Sequence, residues 1–147
     1  MKKLSVVLSV VFILALLMIE FSTSKPLEDP QKSSAQPWVA PESADTLKNP
    51  FSGDKKAIEA GKKIYAQLCA VCHGNSGKGD GIAGMSLKPR PANLTSEAVQ
   101  KQTDGAIFWK ITTGRPPMAS YKATLTDEQR WQVVNYIRTF RKEKSKK

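Results

Sequence analysis

Hydrophobic positions along the chain follow two patterns. From Leu4 to Ile19 they are nearly unbroken, with Lys2-Lys3 before them and Glu20 after. A positive pair followed by an apolar run has the form of an export signal. The run is a little long for a signal core and a little short for a comfortable membrane span. Residues 1–24 are therefore either a signal peptide cut after Ser22-Thr23-Ser24 or a retained N-terminal membrane anchor. In both cases the lysines stay inside, which places the rest of the chain outside the cytoplasmic membrane.

From residue 54 onward the apolar positions recur at helical spacing. Ile58, Gly61, Tyr65 and Leu68 form one stripe, and Asp54 is a suitable N-cap, so a helix is expected from there to near Cys69. Gly61 in its middle costs about 1 kcal/mol relative to alanine, which is understandable if another helix approaches closely. Ser96 to Gln102 is expected to hold a short helix. Thr103 or Asp104 then caps a helix through Ile107, Phe108 and Ile111, stopped by Gly114. A last helix opens at Thr126, with Gln129 as capping-box partner and Asp127-Glu128 in its first turn. Val133, Ile137 and Phe140 make its stripe, flanked by Tyr136. Nothing alternates strand with helix, so the expected class is all-α, with three to five short helices.

The intervening segments differ in composition. Residues 25–50 hold Pro26, Pro30, Pro37, Pro41 and Pro50 and read as an extended linker. Trp38 is its exception: it either packs back onto the domain or stays solvated. Gly74 to Gly84 is dense in glycine and reads as a tight loop around a ligand. It lacks the register of a phosphate-binding loop. Lys88-Pro89-Arg90-Pro91-Ala92-Asn93-Leu94 is held extended by its prolines. A globular domain at 51–142 is followed by a basic tail, 143–147. Such a domain is too small to fill a large core from side chains alone.

Chemistry changes this picture at Cys69-Ala70-Val71-Cys72-His73. The pattern C-x-x-C-H is an attachment site for c-type haem. Two thiols three positions apart add to the vinyl groups of one porphyrin, and the adjacent imidazole ligates iron. His73 is the only histidine in the chain. Zinc would need three or four N/S ligands from more than this one turn. The expected cofactor is one covalent haem c on Cys69 and Cys72, which also makes good the missing core. Beyond the signal, the methionines are Met85 and Met118. Met118 follows Pro116-Pro117 on a stiff loop and is the expected sixth ligand; a thioether stabilises reduced iron. Met85 is expected to be ordinary packing. An extended strip beside His73 can offer a carbonyl to the free imidazole N–H. Arg90 is either a propionate partner or solvated, and Trp109 either core or a propionate donor.

The chain carries a formal charge of +10. Loss of residues 1–24 would bring this to +9. Lys78, Lys88, Lys110, Arg115 and Lys122 are candidates to ring an exposed haem edge and steer the protein to redox partners with acidic docking faces. The basic residues are dispersed and the chain reads as exported, so nucleic acid is excluded as a partner.

Residues 54–142 resemble a class I c-type cytochrome of the small bacterial mono-haem branch. The resemblance rests on Gly61-Lys62-Lys63-Ile64-Tyr65 ahead of Cys69-Ala70-Val71-Cys72-His73-Gly74, on Gly114-Arg115-Pro116-Pro117-Met118 and on Asn135-Tyr136-Ile137-Arg138. It implies the cytochrome c fold wrapped around one haem. It sets Gly61 and Tyr65 against Val133 and Tyr136, and bonds a proline carbonyl, Pro89 or Pro91, to His73. The implied function is one-electron transfer in a periplasmic or membrane-associated chain, without enzymatic activity. A tethered haem subunit of a larger oxidoreductase, with Leu4–Ile19 as anchor, is the first alternative. A haem ligand sensor or peroxidase with open iron is the second.

Overall fold

The computed structural model describes residues 37–141. The signal or anchor segment 1–24, residues 25–36 of the expected linker and the tail 143–147 lie outside the described residues. Within them there are six helical segments: α1 (Glu42–Asp45), α2 (Lys55–Leu68), α3 (Ala70–His73), α4 (Glu97–Gln100), α5 (Asp104–Thr113) and α6 (Asp127–Arg138). Three are single turns. One isolated antiparallel bridge, Arg115 to Met118, accompanies them. Among the described residues no helix is long and apolar enough to cross a membrane.

Side chains that satisfy orphan backbone donors set the helix starts. The Asp54 carboxylate accepts from the N–H groups of Lys56 and Ala57 at 2.7 and 3.2 Å. Asp54→Ala should therefore cost about 1 kcal/mol, read as a lower denaturant midpoint at unchanged slope. Thr103, not Asp104, caps α5, its hydroxyl accepting from Ala106 N–H at 3.0 Å. Asp104 instead receives Arg138 Nε at 2.6 Å and Asn49 Nδ2 at 2.8 Å. Thr126 and Gln129 form the expected reciprocal box at the start of α6.

The core lies where α2 crosses α6. Gly61 makes the crossing possible: a Cβ there would lie 1.9 Å from the Gln132 carbonyl oxygen. Tyr65, Val133 and Val134 are fully buried beside it. The Tyr65 ring meets Tyr136 at 5.2 Å and Phe140 at 5.4 Å, in tilted and edge-on arrangements that aromatic quadrupoles favour. The pairing implied by the family resemblance is the one observed.

The linker boundary at residue 50 is corrected. α1 falls inside that span and packs against α5. Ala44 is buried, and its carbonyl oxygen would lie 1.9 Å from a Cβ on Gly105. Thr103 Oγ1 donates to Asp45 Oδ1, and Asn135 Nδ2 donates to the Phe51 carbonyl. The prolines suggested an extended spacer, but a single turn carries too few residues to show a helical period. The contact depends on Gly105, which lies far away in sequence.

Candidate functional site

Cys69 ends α2 and begins α3, so Cys69, Cys72 and His73 share one turn. The N–H groups of Cys72 and His73 both donate to the Cys69 carbonyl, at 3.1 and 2.8 Å. All three side chains line a cavity of about 490 Å³. Its walls combine α2 (Tyr65, Leu68), α5 (Ile107, Ile111) and α6 (Val133, Ile137). The helix crossing is thus also the back of the site. Tyr65 fixes the turn from behind: its hydroxyl donates to the Gly74 carbonyl at 2.8 Å.

The lining suits a flat apolar ring bearing carboxylates. The charged side chains that line the cavity are Arg90, Lys110 and Arg115, all cationic, with no Asp or Glu. Cys69 and Cys72 are free thiols. Burial, then the neighbouring Cys72, pushes the Cys69 thiol up to about 12, so it is neutral at physiological pH. Thiol exchange needs a thiolate, which burial disfavours at Cys69. Among the described residues no three His, Cys, Asp or Glu side chains converge on a bare metal ion. Covalent attachment of a porphyrin through the two thiols fits this environment better than either rival.

His73 Nδ1 lies 3.0 Å from the Ala92 carbonyl oxygen. A carbonyl only accepts, so Nδ1 carries the proton and Nε2 keeps its lone pair. Burial holds the ring below the usual histidine range, against a smaller opposing effect of the Ala92 bond. The imidazole is therefore neutral, with one nitrogen oriented and the other available to iron.

Met118 lines the same cavity. Its loop is tied to the end of α5. Gly114 terminates that helix at φ +64°, Met118 N–H donates to Arg115 O at 2.8 Å, and Tyr121 N–H donates to Ile111 O at 3.1 Å. Ser120 Oγ adds a bond to Thr112 O at 2.6 Å. Tyr121 in turn donates its hydroxyl to Leu68 O at 3.1 Å, joining the Met118 loop to the cysteine-bearing turn. One cavity thus presents the two thiols, the imidazole and the thioether.

Four expectations change. Neither Pro89 nor Pro91 supplies the carbonyl for His73; Ala92 does. The Pro91 carbonyl oxygen is directed at Gly79 instead, 2.5 Å from where a Cβ would sit. Trp109 does not line the cavity. It packs edge-on against Trp38, 6.4 Å between ring centroids, and Trp38 takes the place at the wall. Met85 is 56% exposed and is not packing. The glycine-rich loop does not wrap the cavity either: it folds back on α3, with Gly79 N–H donating to His73 O and Gly81 N–H to Cys72 O. Arg90 lines the cavity as one of its cations.

Sequence reasoning missed Leu87 and Tyr121 at the cavity and left Trp38 open. Neither Leu87 nor Tyr121 belongs to a periodic segment, so no signal marked them.

A family model described as subunit III of the cbb3-type cytochrome c oxidase matches residues 56–137. Cytochrome c6 of Leptolyngbya boryana is 35% identical over 78 residues, covering 53% of this chain and 86% of that protein. Cytochrome c6 of Parathermosynechococcus lividus is 30% identical over 80 residues, covering 52% and 83%. Among solved structures, a chain of the reducing HAO-like protein complex of Kuenenia stuttgartiensis aligns with a TM-score of 0.55 at 27% identity. The match covers 67% of this chain and 49% of that one.

Proposed function

Since the chain belongs to the mono-haem c-type cytochromes and is an electron carrier rather than an enzyme, we propose that it works outside the cytoplasmic membrane with His73 and Met118 as axial ligands. The carrying observation is the convergence of Cys69, Cys72, His73 and Met118 on one cavity, with the His73 ring oriented by Ala92. When bound, the haem supplies a one-electron Fe(III)/Fe(II) couple. The chain's residues do the rest. Cys69 and Cys72 hold the ring, Ala92 fixes the tautomer, and Met118 fills the position a substrate would need. The apolar walls exclude water.

Export is supported by Lys2-Lys3 ahead of Leu4–Ile19. Partners with acidic faces are supported by the formal charge of +10 and by exposed Lys78, Lys88 and Lys122. A second reading, a fixed haem subunit of a larger oxidoreductase, is favoured by the solved chain with which this one aligns, which belongs to a multi-protein complex. Purification from native membranes separates the two: a subunit keeps its company through detergent extraction, and a carrier does not.

The visible spectrum tests the ligand assignment. The expected result is a low-spin c-type spectrum with a methionine–iron charge-transfer band, unmoved by carbon monoxide after reduction. A high-spin spectrum that shifts with carbon monoxide would mean an open iron and return the sensor or peroxidase reading.

A further inference from the structure

The segment matched to the family begins at residue 56, yet one wall of the cavity comes from residue 38. Trp38 is half-buried there, between exposed Pro37 and Val39. Two cations flank its ring: Lys110 Nζ at 5.6 Å and Arg115 Cζ at 5.2 Å from the centroid. Both also line the cavity. Lys110 Nζ is further held by Gln102 Oε1 at 2.6 Å. Two cations thus lie on one indole, at a cavity whose lining carries no carboxylate. A porphyrin brings two carboxylates.

The stretch behind Trp38 is locked to α5, the helix that carries Lys110. Ala44 is buried against Gly105, and Asp45 accepts from the Thr103 hydroxyl. Trp38 itself stacks edge-on against Trp109 of the same helix.

We propose that residues 37–47 form a clasp on the cofactor cavity, in which Trp38 closes part of the wall and seats Lys110 and Arg115 for the porphyrin's carboxylates, so that the clasp holds the reduction potential up. The inference rests on the haem reading given above. Its physical basis is twofold. Water admitted to the cavity stabilises the more highly charged ferric state, so cover favours the ferrous one. Cations held near the ring favour the added electron.

The test compares haem-loaded, full-length wild type with Trp38→Ala, Trp38→Phe and Gly105→Ala by redox titration, with a spectrum of each. Trp38→Ala is expected to lower the potential, while Trp38→Phe, which keeps an apolar aromatic cover, stays nearer wild type. Gly105→Ala pushes Ala44 off α5 without touching the cavity and should lower the potential as well. If Trp38→Ala yields no loaded protein, Gly105→Ala carries the comparison. A potential equal to wild type in the alanine variants overturns the clasp. The spectra keep the two readings apart. An intact methionine-ligated spectrum with unmoved potentials defeats the clasp alone. A high-spin wild type defeats the Met118 assignment, and the comparison of potentials still decides the clasp.

Discussion

Gly61→Ala is expected to lower the denaturant midpoint of the haem-loaded protein sharply. The added Cβ would lie 1.9 Å from the Gln132 carbonyl oxygen and 2.4 Å from its carbon. These are backbone atoms of the facing helix, so no rotamer change relieves the clash; the helices themselves must part. Over-packing that side chains can absorb costs about 1–3 kcal/mol. Here the cost should reach or pass the upper end of that range. The gain of about 1 kcal/mol from replacing glycine in a helix does not offset it. Domains of this kind have about 5–15 kcal/mol in total. The parting of α2 from α6 also moves Tyr65, Val133 and Ile137, three walls of the cavity. Denaturant unfolding of the loaded protein reads the effect. A midpoint at or above wild type would mean that the crossing is looser than the geometry indicates.

Met118→Ala is the second large effect, and it acts on the site rather than the fold. Met118 sits on a loop tied back to α5 through Ile111 and Thr112 carbonyls, so its removal should leave the helices in place. Cys69, Cys72 and His73 are untouched, and covalent haem should form as before. With no second histidine in the chain, no imidazole can take over the position. The iron should become accessible to carbon monoxide. The potential should fall by a sizeable part of the roughly 0.8 V span that axial ligands command. Loss of the methionine–iron band with retained haem is the expected spectrum. Retention of that band in the variant would show that another methionine, such as Met85, had been the ligand.

Most of the helical frame was legible because it is written locally. Asp54, Thr103 and Thr126 are capping residues directly before apolar-periodic runs, and each cap is observed. The attachment turn was legible for the same reason, since its five residues are contiguous. The crossing at Gly61 came from the family resemblance together with a glycine that had no local purpose. What could not be read depends on distant pairs. α1 is too short to have a period, and it is held by Gly105 and Thr103, residues far along the chain. Trp38 and Trp109 exchanged roles because a sequence shows two indoles but not which one reaches the wall. Glycine density alone implies a loop around a ligand, whereas these glycines let the loop lie against the carbonyls of α3.

The acceptor for His73 is the main-chain oxygen of Ala92. Every residue type has such an oxygen, so no side-chain replacement at position 92 deletes it. The strip from Lys88 to Leu94 can therefore drift in composition and still orient the ring. It has no such freedom in length. One residue gained or lost between Pro89 and Ala92 would displace the carbonyl that now meets the ring, because the strip is fixed beside the cavity at both ends by Leu87 and Leu94. The strip acts as a ruler: point substitutions there should be largely silent in the spectrum, and single-residue insertions or deletions should not.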